Sequence, residues 1–437
     1  MRQSLLIAVV LLLVSGSFSH GQESWPQFRG PNGQGSTDVV GLPLEWSEQH
    51  NVIWKSEIPG KGWSSPVIAD GNIWLTTATE IKASEVLHKS KSEGTMMGDA
   101  LSFARSITLW ALQVDLKEGE VLRKVRLFDI DFPQPIHSLN SYASPTPVLD
   151  AGKLYCHFGD YGTACLDAAS GEILWKNRLS NDHRVGPGSS PVRYENLLIL
   201  TCDGAFKQYV VALDCSNGKI VWQTERPPVR TTEPEFRKAF STPLLIEVAG
   251  ESQLVIPAAQ WCIAYQPRTG KDIWRVDHGR GFSVVPRPVF DGRHLFFCTG
   301  YGTQELWAIR PDGRGDVTYS HVAWKRSKQI PTMTSPVLVD GLIYTISDSG
   351  VARCFDASSG EPIWIERVGG GFSASPLAAD SRIYFCSYEG RTTVIAPGDQ
   401  FVKLATNELD GKIMASPVVA EGDLLLRTDK HLYRLGE

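Results

Sequence analysis

Residues 165–176 read "CLDAASGEILWK", and the reading of these twelve residues decides the fold. An apolar strand runs into Asp167, Ser170 and Gly171 turn the chain, and a second strand closes on Trp175. An aspartate before such a turn caps it with its carboxylate, and glycine takes the positive φ that the turn demands. The unit returns as "ALDCSNGKIVWQ" (212–223), "AYQPRTGKDIWR" (264–275) and "CFDASSGEPIWI" (354–365), with weaker forms "ALQVDLKEGEVLRK" (111–124) and "AIRPDGRGDVTYSHVAWK" (308–325). The tryptophans at 175, 222, 274, 324 and 364 give each unit a wide, flat plug.

A second motif alternates with the first. It is a small residue and a proline followed by an apolar strand, a turn and another strand, as in "SSPVIADGNIWL" and "TSPVLVDGLIYTI". Its eight copies place prolines at 66, 147, 191, 243, 288, 336, 376 and 417, spaced by 40 to 52 residues with one interval of 81. Four short strands per unit at this period spell a β-propeller blade, whose apolar faces are buried only by neighbouring blades. The copy at Pro417 runs out in "LLLRTDKHLYRLGE" before any tryptophan element. At the other end "NVIWKSEI" carries Trp54 with no unit before it, so the N-terminal strand is expected to complete the eighth blade and remove both free sheet edges.

This pattern predicts an all-β, eight-bladed propeller in a single domain over residues 22–437. Residues 22–45 form an N-terminal arm beside the closure, with Trp25 and Phe28 as anchors. The long interval holds an insertion at 80–106 in the first blade, with room for a short helix. Residues 1–21 read as a cleaved signal peptide, because the apolar run Leu5 to Val14 is about half the ~20 residues of a membrane span. No cysteine precedes Cys156, so no lipid-anchoring cysteine stands at the cleavage point. A periplasmic or secreted location without a membrane anchor follows as the expectation.

The stretch "SWPQFRGPNGQGSTD" tempts a phosphate-loop reading, yet it lacks the G-x-x-x-x-G-K-[ST] pattern and its prolines leave no flanking strand or helix. A net charge of −5 over 437 residues names no nucleic-acid partner. The eight cysteines lie mostly in strand-like runs such as "RIYFCSY", where a thiol serves as a small buried apolar group. No Cys-x-x-Cys and no zinc-ligand spacing occurs, so no metal site is expected.

The units resemble the tryptophan-docking repeats of pyrroloquinoline-quinone (PQQ) type propellers, written roughly A-x-D-x-x-T-G-x-x-x-W. Asp167, Gly171 and Trp175, then Asp214, Gly218 and Trp222, then Asp356, Gly360 and Trp364 match at that spacing. The resemblance implies an eight-bladed fold. It also implies one of two functions: quinoprotein dehydrogenation, or cofactor-free scaffolding as in the BamB component of outer-membrane β-barrel assembly. Quinoprotein dehydrogenases hold PQQ under a disulfide between adjacent cysteines, with a calcium ion held by Glu and Asn and an Asp as base. This sequence has no adjacent cysteine pair. The resemblance therefore points to a BamB-like binding or scaffolding protein with no cofactor expected. A PQQ-using oxidoreductase is the alternative.

Candidate binding residues come from the segments that lead into the innermost strands, because all of these open on one face around the channel. They supply Lys61, Arg184, Arg237, Lys238, Arg280 and Lys412, and no acid. This predicts a positive mouth. Trp63, Tyr142, Phe282 and Phe372 offer flat surfaces, and His137 and Asn140 offer hydrogen bonds. The expected ligand is a protein, or an acidic glycan or peptide. No catalytic set can be placed from spacing alone.

Overall fold

The structure, a computed structural model, describes residues 24–84 and 100–437. The signal-peptide reading of 1–21 lies outside the described residues, as does most of the 80–106 insertion. Eight antiparallel sheets follow one another around an axis, each a meander of four strands running from the axis outward. Blades 1 to 7 span 67–131, 148–177, 192–225, 244–277, 289–327, 337–367 and 377–408. Blade 8 takes three strands from 418–435 and its outermost strand, Val52–Glu57, from the other end of the chain. Val52–Glu57 pairs antiparallel with His431–Leu435, Lys55 opposite Tyr433. The ring therefore closes as the unpaired Trp54 predicts. In blade 1 the second strand continues to Lys82 and the third begins at Ala104, so the insertion is the connection between them. Gly315–Asp316, within the long variant repeat, adds a parallel strand to the outer edge of blade 4.

The motif works between blades as well as within them. Asp167, Asp214 and Asp356 accept hydrogen bonds from the backbone N–H groups of Ser170, Ser216 and Ser359 at 2.7–2.8 Å, which pins each turn. Opposite each tryptophan stands a small residue: Cys165 for Trp175, Ala212 for Trp222, Ala264 for Trp274, Ala308 for Trp324 and Cys354 for Trp364. A register shift follows at each of these pairs, a bulge that bends the outer strand and aims the indole. The indole then docks on the next blade. Trp175 Nε1 donates to Cys215 O, Trp222 to Pro267 O, Trp324 to Ala357 O, Trp364 to Gly398 O and Trp54 to Leu116 O, all at 3.0–3.1 Å. Trp274 departs from the rule and donates to Gln253 Oε1 within its own blade. All eight cysteines are buried and unpaired.

The arm does not merely flank the closure. Trp25 pairs with Ile68 of blade 1, and Pro26 O accepts from Leu149 N of blade 2. Gln34 Oε1 then accepts from Phe290 N of blade 5, and Ser36 bridges Ala378 of blade 7. The chain thus crosses the axis on the face opposite the leading segments before running to blade 8. Two guanidiniums hold it there. Arg29 reaches Pro336 O of blade 6 and Pro376 O of blade 7, while Arg287 of blade 5 reaches Phe28 O and Pro243 O. A Cβ on Gly33 would stand 2.5 Å from Arg287 Nη1, and one on Gly35 the same distance from Arg29 Nη2. The glycines of "RGPNGQG" let the backbone wrap two arginines rather than a phosphate. Burial, with mutual repulsion at Arg29, pulls both guanidinium pKa values down to about 9, which leaves them charged at neutral pH.

Candidate functional site

The residue before each motif proline forms a ring about the axis: Ser65, Thr146, Ser190, Thr242, Arg287, Ser335, Ser375 and Ser416. Hydroxyls link consecutive blades. Ser65 N donates to Thr146 Oγ1, Thr146 N to Ser190 Oγ, Ser190 N to Thr242 Oγ1, Arg287 N to Ser335 Oγ, Ser335 N to Ser375 Oγ and Ser375 N to Ser416 Oγ, each at 2.9–3.0 Å. A buried backbone N–H needs a partner, and strands this close to an axis have no neighbour in their own sheet on the inner side. The serine or threonine of the repeat supplies that partner.

Above this ring lies a cavity of about 720 Å³, open on the face of the leading segments and closed below by Phe28 of the arm. The channel is therefore a blind funnel. Of the residues expected at the mouth, Trp63, His137, Asn140, Lys238 and Phe282 line it. Trp63 is held by its indole N–H on Leu139 O at 3.0 Å, and Asn140 by Nδ2 on Val185 O at 2.9 Å. Lys61 lies over the Trp63 ring at 5.7 Å. Arg184 lies over Phe206, Arg237 reaches Gln208, and Lys412 is exposed at the rim. Tyr142 and Phe372 are not among the residues that line the cavity. The first is fully buried edge-on to Tyr161, and the second packs in the core of blades 6 and 7. Both were expected as ligand surfaces, and both instead fill space behind the wall.

Arg280 and Phe282 line a second cavity of about 920 Å³ between blades 4 and 5, together with Arg230, Asp277, Glu305, Trp307, Tyr319 and Lys325. Phe236 and Phe282, with ring centroids 4.7 Å apart, border both cavities and form their partition.

The expected acid-free mouth is not what the fold assembles. The leading segments hold no acid, but Glu235 immediately precedes one of them and pairs with Lys238. Asp348 projects into the funnel from the loop between the second and third strands of blade 6. Arg184 has Asp182 at 3.7 Å. Burial, with Lys238 nearby, holds His137 below its ordinary imidazole range. Spacing along the chain missed Glu235, Phe236, Tyr301, Asp348 and Tyr388. A meander returns its second connection to the same face as its leading segment, and that topological rule would have found Tyr301, Asp348 and Tyr388.

A calcium-bound PQQ does not fit these residues. The quinone is a tricarboxylate, whereas the funnel's lysine is already paired and Asp348 would repel it. Among the described residues no group of three or more His, Cys, Asp or Glu is placed to hold a metal ion.

The family described as outer membrane protein assembly factor BamB matches residues 126–260 and 258–400. The BamB of Burkholderia pseudomallei (strain K96243) is 25% identical over 302 residues, 66% of this chain and 65% of that protein. The chain spans between 23% and 65% of the length of the curated relatives it matches. Among solved structures, BamB from Moraxella catarrhalis superposes with a TM-score of 0.54 at 14% identity, covering 75% of this chain and 94% of that one. The quinohemoprotein alcohol dehydrogenase ADHIIG from Pseudomonas putida HK5 superposes with a TM-score of 0.62 at 12% identity, covering 95% and 80%. At these identities the two structures share the fold alone.

Proposed function

This chain belongs to the family described as outer membrane protein assembly factor BamB, and from that premise we propose that it is a non-catalytic, extracytoplasmic binding or scaffolding propeller whose ligand enters the axial funnel. The observation that carries the reading is the funnel itself. Its floor is an arm residue, Phe28, and its wall combines aromatic and methionine side chains with a few fixed polar groups, the usual make-up of a ligand pocket. The name of the relatives, an assembly factor of the outer membrane, supports a protein partner and a location outside the cytoplasm. The leader reading of residues 1–21 supports that location as well.

The test is native mass spectrometry of the protein exposed to a panel of small molecules and short peptides, beside Val285→Trp, which fills the funnel wall. Retention by the wild type and its loss in the variant is the expected result. Equal retention in both moves the site elsewhere, and no retention removes the funnel as a ligand site.

Recognition of an acidic glycan or peptide is a second reading, supported by the lateral cleft. There Arg230, Arg280 and Lys325 outnumber Asp277 and Glu305, beside a fully exposed Tyr319. Arg280→Ala should weaken an acidic oligosaccharide about tenfold if one charge-assisted hydrogen bond is lost. Calorimetry on that variant reads the change.

A further inference from the structure

The funnel wall carries one charge that nothing beside it balances. Lys238 is paired with Glu235, and His137, held below its ordinary range, is neutral at pH 7. Asp348 has only dipolar partners. Thr332 N and Met333 N each donate to its Oδ1 at 3.1 Å, and the Thr332 hydroxyl donates to Oδ2. Among the described residues no lysine, arginine or histidine pairs with it, and three of the roughly four acceptor sites of a carboxylate are used. Asp348 itself lines the cavity.

Two tyrosines line the cavity with that carboxylate. Tyr388, fixed by a 2.8 Å hydrogen bond to Ser373, and Tyr301 both stand in its field: burial lifts their phenol pKa values, and the Asp348 charge adds to the rise. From Tyr301 the ring face continues to Phe282 at 6.2 Å and on to Phe236. The lining also holds the apolar side chains of Met333 and Met414, and at the floor Phe28 of the arm. A cation beside a carboxylate and over aromatic faces gains both a charge-assisted hydrogen bond and a cation–π contact, whereas an anion meets an unpaired negative charge in a confined space.

We propose that the funnel selects a small organic cation, an ammonium carried on a flat apolar body, with the ammonium at Asp348 beside Tyr301 and Tyr388 and the body directed toward Phe28. This rests on the reading of the funnel as a ligand site. It inverts the charge preference expected from the leading segments.

Calorimetric titration with phenylethylammonium, phenylpropionate and neutral phenylpropanol tests it, on the wild type, on Asp348→Asn and on Tyr301→Leu. Asparagine keeps an acceptor for the Thr332 and Met333 N–H groups, removes the charge, and turns the oxygen facing the Thr332 hydroxyl into an NH2 that this hydroxyl can accept from. The wild type should bind the ammonium at least about tenfold tighter than the carboxylate, the scale of one charge-assisted hydrogen bond. Asp348→Asn should abolish that difference while leaving phenylpropanol unchanged. Tyr301→Leu, a substitution at a partly exposed side chain, should weaken the ammonium severalfold and spare the neutral ring, and serves in place of Asp348→Asn if that variant misfolds. A wild type that binds the carboxylate as tightly, or an Asp348→Asn that keeps the preference, overturns the cation assignment alone. Absence of binding by all three compounds overturns the ligand-site reading with it.

Discussion

Gly218 of blade 3 lies against the indole of Trp175 in blade 2: a Cβ on Gly218 would stand 2.5 Å from Trp175 Cε3. Gly270 has the same relation to Trp222, Gly360 to Trp324 and Gly119 to Trp54. The repeat's glycine thus serves its own turn and its neighbour's tryptophan at once, so the motif's two ends are coupled across blade boundaries.

That double duty can be dissected. Gly218 and Gly152 have nearly the same φ, 72° and 71°, but a Cβ on Gly152 meets nothing within 4 Å. Gly152→Ala should cost only the strain of a left-handed alanine, ~1 kcal/mol. Gly218→Ala should add the displacement of Trp175, a further ~1–3 kcal/mol by analogy with overpacked cores. Urea denaturation of the two variants measures the difference, and equal losses would show that the indole yields freely.

Closure by Val52–Glu57 predicts the effect of truncation. Starting the chain at Ile58 uncovers the His431–Leu435 edge, removes the Trp54 donor from Leu116 O, and strips the arm from the channel floor. An exposed flat edge recruits other strands. Light scattering should find oligomers or aggregates, and a monomeric, cooperatively folding truncation would refute the closure argument.

The fold was legible because its determinants are local and repeated. Asp167, Gly171 and Trp175 sit within one turn and two strands, and Trp54 without a unit announces the missing strand. The arm was less legible. "RGPNGQG" reads as turns, but only the folded ring brings Arg29 beside Pro336 and Pro376, some 300 residues later in the chain. The mouth was half legible for the same reason. Trp63 and Lys238 lie in segments whose place the repeat fixes, whereas the loop that carries Asp348 declares its side only through the meander's topology. The charge of the mouth is hidden from chain order because Glu235 and Asp348 lie around the funnel but outside the leading segments.

Arg287 separates two roles at one ring position. Seven of the eight positions hold a hydroxyl, and here an arginine instead reaches through the ring to Phe28 O and Pro243 O. Arg287→Ser should restore the repeat's usual residue and leave the blades intact, while releasing the arm. Limited proteolysis should then cut within residues 24–45 at least about tenfold faster, since local opening that loses one buried, charge-assisted anchor becomes easier by ~1.5–3 kcal/mol. If the arm stays as protected as in the wild type, Arg29 alone holds it.

Acid should weaken the fold through two imidazoles. His157 and His278 are buried, the first bonded to Thr163 Oγ1 and the second donating Nε2–H to Ala258 O. Burial pulls both pKa values from 6.5 down to about 4, and His183 adds repulsion at His157. In the unfolded chain both take a proton near 6.5, so between that value and about 4 the unfolded state binds more protons than the folded one, and falling pH favours unfolding. The stability is complete above the unfolded value, declines as pH drops through this window, and levels off below the folded value. Each depression is worth up to ~3 kcal/mol. Urea midpoints measured from pH 7.5 to 4 should fall accordingly, and His157→Gln with His278→Gln should start lower yet decline less. An equally steep decline in the double variant would assign the acid sensitivity to carboxylates instead.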